Sequence, residues 1–158
     1  MKVLITGSAG FIGSNLTDAL LALGHQVVGV DNLSTGQLDF LNEARVHPNF
    51  QFHQLDLLDE ASLTKVMTGG IQYVFHLAAN ADVRFGLNHP RRDTEQNLLA
   101  TQNLLEAMRS VGVNRIAFAS TGSVYGESSA IPTPEDAPFP IQTSLYGASK
   151  IAAEALIS

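Results

Sequence analysis

Short apolar runs and segments of helical periodicity alternate along the whole chain, the pattern of strands and helices in turn. Strands are expected near Lys2–Thr6, Gln26–Val30, Phe50–Gln54, Tyr73–Leu77 and Arg115–Ser120. Helices are expected near Phe11–Leu23, Asp59–Met67 and Arg91–Val111, and from Leu145 onward. In the longest of these, Leu98, Leu99, Leu104, Leu105 and Met108 form one apolar stripe, read as core or subunit contact. The alternation predicts an α/β fold: a doubly wound parallel sheet with helices on both faces, strand order 3-2-1-4-5, and a ligand at the carboxyl ends of the strands.

The end of the first strand refines this. Gly7, Gly10 and Gly13 stand between Val3-Leu4-Ile5 and the first helix, and Asp31 closes the run Val27-Val28-Gly29-Val30. In a Rossmann-type unit such a glycine turn lets backbone N–H groups approach a pyrophosphate, whose charge the helix N-terminus stabilises. Asp31 would accept hydrogen bonds from an adenosine ribose. Its carboxylate would repel the 2′-phosphate of NADP, and no Lys or Arg follows through Gln37, so NAD is the expected cofactor. The spacing Gly-x-x-Gly-x-x-Gly is one residue longer in its first gap than the general fingerprint. The reading therefore leans on the strand before, the helix after and the acid about 20 residues on.

A second signal is Tyr146-Gly147-Ala148-Ser149-Lys150. Residues four apart share one face of a helix, so Tyr146 and Lys150 can reach a single ligand. A phenol ordinarily titrates near 10, and lowering that by about 3 pH units takes roughly 4 kcal/mol. An ammonium about 4 Å away supplies on the order of 4 kcal/mol at an effective dielectric near 20. Lys150 beside a cationic nicotinamide is thus sufficient to make Tyr146 a working base. Alone, such a pair is commonplace on helix surfaces. Joined to the cradle and to Thr121 at the end of the fifth strand, it reads as catalytic, with Thr121 hydrogen-bonding a sugar hydroxyl and Tyr146.

With these residues the chain resembles the extended short-chain dehydrogenase/reductases, and within them the NAD-dependent nucleotide-sugar epimerases and dehydratases. The landmarks are Thr6 to Gly13, Asp31-Asn32, Asp56-Leu57, His76-Leu77-Ala78-Ala79, Ser120 to Gly126, and Tyr146 to Lys150. The resemblance implies that Phe11 and Ile12 offer backbone N–H groups to the pyrophosphate and that Asn32 accompanies Asp31. It further implies that Asp56 and Leu57 flank adenine, and that Leu77, Ala78 and Ala79 line the nicotinamide side. Asn97 falls where the family has an asparagine near the cofactor, with Gln96 an equally eligible contact; Tyr146 and Lys150 also meet NAD. The substrate candidates are Thr121, Ser123 and Arg84. For Arg84, Arg91 and Arg92, solvated charge is the stronger reading and a substrate diphosphate the alternative.

The implied reaction oxidises a ring carbon, C4, of a UDP-hexose while Tyr146 removes the hydroxyl proton, and then returns the hydride to the opposite face. A 4,6-dehydratase would need an acid pair after the threonine. Gly122 and Ser123 stand there, so that alternative is disfavoured, and the flanking residues look most like the UDP-glucose 4-epimerases. A reductase of the same family, or a non-catalytic NAD-binding module or inactive fragment, are the other readings.

The resembled family continues for about as many residues again beyond the equivalent of Ser158. Residues 1–158 are therefore read as one NAD-binding domain, with the sixth strand and the substrate domain outside it. An exposed edge of the fifth strand, with Ile151, Leu156 and Ile157, would then favour self-association. By resemblance, a homodimer would form through the helices that carry Leu104 and Ile151.

Composition narrows the remainder. The 158 residues are 45% apolar and 15% charged, enough for one domain with a real core. No cationic apolar leader and no bilayer-length apolar stretch occur, so a cytoplasmic location is expected. The formal net charge of −6, without a basic cluster, argues against nucleic acid. Absence of cysteine excludes disulfides, thiol catalysis and thiolate-bound zinc. His25, His47, His53, His76 and His89 lack metal-ligand spacing, so no metal site is expected. The segment Ala130–Pro140, with four prolines, reads as a stiff loop beside the site.

Overall fold

Val3, Leu4 and Ile5 are wholly buried because β1 (Lys2–Thr6) is the central strand of a five-stranded parallel sheet. A strand covered on both faces reads as a continuous apolar run. β2 (Gln26–Asp31) and then β3 (Phe50–Gln54) lie on one side of it, and β4 (Tyr73–His76) and then β5 (Ile116–Phe118) on the other. The order β3-β2-β1-β4-β5 is the one the alternation of patterns predicts. Thr6 pairs with Val30 and with His76, and His76 with Phe118, so the carboxyl ends of four strands are level.

The computed structural model describes residues 1–84, 88–128 and 130–158. They form two compact units. The first, Met1–Ala78 with Asn103–Ala119, holds the sheet, α1 (Phe11–Ala22) and α2 (Glu60–Met67). Asp59, expected inside α2, caps it instead by accepting the Ser62 N–H at 3.1 Å. The second unit, Ala79–Gln102 with Ser120–Ser158, holds α3 (Pro90–Asp93), a π-helical turn (Thr94–Leu99) and the start of α4 (Ala100–Val111). A 3-10 turn (Gly122–Tyr125) and α5 (Leu145–Ile157), capped by Ser144, complete it. No helix among the described residues is long and apolar enough to cross a membrane.

Two expectations change here. The helix expected to run unbroken over Arg91–Val111 contains the π-helical turn, which widens one turn. Leu104 and Met108 are buried as expected. Leu98 and Leu105 are only half-buried, and Leu99 is 41% exposed. The inward positions before Leu104 are instead Asp93, Asn97, Ala100 and Thr101. The fifth strand is also shorter than Arg115–Ser120, ending at Phe118.

At the end of β1 one hydroxyl ties this strand to the end of β4. Thr6 Oγ1 accepts the N–H groups of Leu77 and Ala78 at 3.2 Å each and lies 2.7 Å from His76 Nδ1. With both lone pairs occupied, its proton is directed at Nδ1, which places the ring proton of this buried histidine on Nε2. His76 is thus a structural residue. Replacing Thr6 with Val takes the hydroxyl from the Ala78 N–H and from the buried His76 Nδ1, while the Leu77 N–H keeps the Thr6 carbonyl at 3.2 Å, and unfolding in urea should show a loss of about 2 kcal/mol. Thr6→Ser, which keeps the hydroxyl, should lose only about 1 kcal/mol.

Candidate functional site

The glycine turn is built by close approach. Gly7 has φ +71° and donates its N–H to the Val30 carbonyl at 2.8 Å. A Cβ there would come within 2.8 Å of the Ala78 nitrogen, and a Cβ on Gly13 would overlap the Gly7 carbonyl oxygen. Only glycine permits strand, turn and helix to meet this closely. Gly10 caps α1 without any side-chain hydrogen bond, and Phe11 and Ile12 are 79% and 63% exposed. The first-turn N–H groups of a helix have no intrahelical acceptor, and here the cap residue has no side chain to cover them. An anionic group such as a pyrophosphate would fit that position, at the positive end of the helix dipole.

Asp31 is held in place by the same turn. Its Oδ2 accepts the Ala9 N–H at 2.9 Å and its Oδ1 the Leu33 N–H at 2.8 Å. An ionised carboxylate offers about four lone-pair sites, so both oxygens can still accept from a ribose diol. Asn32 donates to Asp56 Oδ2 at 2.9 Å, while Asp56 Oδ1 accepts the Leu58 N–H at 2.9 Å. Leu57 is buried, with its carbonyl accepting from Asn103 Nδ2 at 3.0 Å. Leu77 and Ala78 follow β4, bonded to Thr6 and packed against Gly7. The first unit therefore gathers Gly7, Gly10, Phe11, Ile12, Gly13, Asp31, Asn32, Asp56, Leu57, Leu77 and Ala78 around the carboxyl ends of β1, β2, β3 and β4.

Within the second unit, Ala79 is half-buried and Thr121 caps the 3-10 turn, its Oγ1 accepting the Ser123 N–H at 3.1 Å. Gln142 Nε2 donates to the Val124 carbonyl at 2.9 Å, and a Cβ on Gly147 would lie 3.4 Å from the Ser123 carbonyl oxygen. Those contacts seat the Thr121–Ser123 turn on the first turn of α5, next to Tyr146. The proline-rich loop packs on the same turn, through Tyr125, whose ring meets that of Phe139 at 5.6 Å in a tilted contact and whose hydroxyl donates to the Glu135 carbonyl at 3.2 Å.

Lys150 is only 3% exposed, one helical turn after the half-buried Tyr146. Burial pushes its ammonium down to about 8, with Glu154 one turn further on pulling the other way. The group is still mostly charged at pH 7.

Asn97 is buried and Gln96 half-buried. Asn97 Oδ1 accepts the Asn80 N–H at 2.7 Å, and its Nδ2 lies 3.0 Å from Ser149 Oγ. Arg84 is exposed and paired with Asp82 at 3.6 Å, and Arg91 with Glu95 at 3.7 Å, the geometry of solvated charges. Asn80, Asp93 and Ser149, which cluster around Asn97, were not singled out from the sequence. The signal available was the four-residue spacing Asp93-Asn97-Thr101, a polar stripe on a face that turns out to be buried. No group of three or more His, Cys, Asp or Glu that could hold a metal occurs among the described residues.

The sequence pattern of the NAD dependent epimerase/dehydratase family matches residues 3–158. The chain belongs to that family, whose members use the dinucleotide that the glycine turn and Asp31 anticipate. It is 42% identical over 160 residues to a UDP-glucose 4-epimerase of Mycolicibacterium smegmatis, covering 100% of this chain and 50% of that protein. It is 40% identical over 159 residues to a UDP-glucuronate 4-epimerase of Thermodesulfobacterium geofontis, covering 97% and 49%. Among solved structures, a Thermus thermophilus UDP-glucose 4-epimerase in complex with NAD superposes with a TM-score of 0.89 at 40% identity, covering 99% of this chain and 50% of that one. The chain thus spans about half the length of the relatives it matches.

The buried ammonium has a measurable signature. In the unfolded chain a lysine titrates near 10.4, so the folded state resists protonation at Lys150 and is weakened by it below pH 8. That cost is relieved as the pH rises from about 8 towards 10.4. Lys150→Met should therefore be more stable than the parent at pH 7, by up to about 3 kcal/mol, with the gap closing by pH 10.4 in paired urea titrations.

Proposed function

We propose that this chain is the cofactor-binding part of an NAD-dependent nucleotide-sugar 4-epimerase, with UDP-glucose and UDP-galactose as its substrate pair. The observation that carries the reading is the burial of Lys150 one turn beyond Tyr146. Contact with a dinucleotide alone does not call for a phenol one helical turn before that ammonium, whereas a proton-transfer residue needs a desolvated cation beside it.

In this reading Gly7, Gly10, Phe11, Ile12 and Gly13 take the pyrophosphate on backbone N–H groups, and Asp31 and Asn32 take the adenosine ribose. Asp56 and Leu57 bound the adenine, while Leu77, Ala78, Ala79 and Asn97 serve the nicotinamide end. NAD, when bound, supplies a hydride acceptor that later gives the hydride back, so that the cofactor is regenerated within each turnover. Tyr146 takes the proton of the C4 hydroxyl as that carbon is oxidised and returns it after the sugar presents its other face. Lys150 stabilises the phenolate electrostatically, and Thr121 orients the hydroxyl. A dehydratase is less well supported, because Gly122 has no side chain and Ser123 only a hydroxyl where the elimination needs acids.

Two measurements test this. NADH should bind the 158-residue chain saturably, at least tenfold more tightly than NADPH by nicotinamide fluorescence; Asp31→Asn should narrow that preference, and equal affinities in the parent would remove Asp31 from its role. In the protein at its full natural length, UDP-galactose should be converted to UDP-glucose without added cofactor turnover. Tyr146→Phe should lower kcat by about 10³-fold while NADH affinity is kept, and an unimpaired kcat would sink the assignment.

A further inference from the structure

Ser149, between Ala148 and Lys150, sits at a junction that the reaction above leaves unused. The N–H of Asn80 can only donate, so the Asn97 side chain must present Oδ1 to it, at 2.7 Å, and turn Nδ2 the other way. Nδ2 then faces Ser149 Oγ at 3.0 Å, with Asp93 Oδ1 and the Asn80 carbonyl each at 3.4 Å. Having accepted from Asn97, the Ser149 hydroxyl directs its single proton at the Tyr146 carbonyl, 2.8 Å away. Asp93 Oδ1 also accepts from Asn80 Nδ2 at 2.8 Å. The direction of each bond is fixed by its neighbour, from Asp93 and Asn80 through Asn97 and Ser149 to the backbone of Tyr146.

A serine bonding back to the carbonyl three residues earlier is common in helices and means little alone. Here the same oxygen is also gripped by a side chain 52 residues away in sequence. The grip comes from the π-helical turn, an irregularity that often marks functional sites. Asp93 is 1% exposed, and its second oxygen has no hydrogen-bond partner among the described residues. Keeping a carboxyl group buried with one oxygen unpaired weakens a fold, so stability alone does not account for it.

We propose that Asp93, Asn97 and Ser149 form a relay that fixes the setting of Tyr146, with Ser149 and Asp93 as positioning residues for proton transfer. The inference rests on Tyr146 being the proton-transfer residue. A displacement of the order of 1 Å at a reacting group can cost about 10²-fold in rate. Loss of the relay should therefore be read in kcat and not in binding.

The test is Ser149→Ala and Asp93→Asn in the protein at its full natural length, with UDP-galactose as substrate. Ser149→Ala should lower kcat at least tenfold with KM and NADH affinity within twofold of the parent. The acid limb of its pH–kcat profile should move by at least half a pH unit, and Asp93→Asn, which keeps the side chain's shape, should move it the same way by less. Unchanged kcat and pH limb in both, even with a lowered Tm, would make the cluster purely structural and overturn the relay. Failure of both variants to fold would do the same. A parent that turns over UDP-galactose, together with an inactive Tyr146→Phe, keeps the functional reading intact whichever way the relay falls; an inactive parent removes both.

Discussion

The closeness of backbone to backbone at the first turn is the constraint from which the rest follows. Because Gly13 and Gly7 carry no Cβ, α1 can start almost in contact with the end of β1, and the chain after β4 can press against the same turn. Helix dipole, uncapped N–H groups and the carboxylate of Asp31 are thereby focused at the edge of one sheet. The sheet makes this possible: the fully buried run Val3-Leu4-Ile5 anchors the turn through hydrophobic burial that a polar loop alone could not supply. Thr6 closes the arrangement by accepting the Leu77 N–H on its carbonyl and the Ala78 N–H on its hydroxyl.

A different balance governs the second unit. Its buried positions include Asp93, Asn97, Thr101, Ser149 and Lys150, side chains whose desolvation opposes folding. Hydrogen bonds recover much of that cost, since Asn97 alone engages Asn80 and Ser149, but one oxygen of Asp93 has no partner among the described residues. Polar groups held in this way are rigid, and rigidity at fixed geometry is what proton transfer between neighbouring side chains requires. Stability and chemistry thus pull the two units in opposite directions, the first towards an apolar sheet and the second towards a desolvated polar cluster.

The contrast explains which parts were legible in the sequence. Strand order, α1 and the cradle followed from periodicity and glycine placement, because apolar burial and backbone sterics leave direct marks on residue type. That Tyr146 and Lys150 lie one turn apart on a single helix was legible from their spacing. The inward face of the segment from Asp93 to Thr101 was not, since its positions recur at helical spacing but carry polar side chains, and a stripe drawn through apolar residues runs through Leu98 and Leu99 instead. Nor could spacing along the chain pair Asn97 with Ser149, which tertiary structure alone brings to 3.0 Å.

The misread stripe carries a physical lesson of its own. Hydrophobic periodicity finds the face that water leaves, on the assumption that apolar side chains replace it. Where polar side chains fill that face and satisfy one another, the burial is equally complete but the pattern inverts, leaving Leu99 outward and Asp93 inward. Such an inversion costs free energy, so it survives only where the polar groups do something an apolar core could not. In this chain the inverted face leads, bond by bond, to the backbone of Tyr146, which is where the chemistry assigned to the protein would be performed.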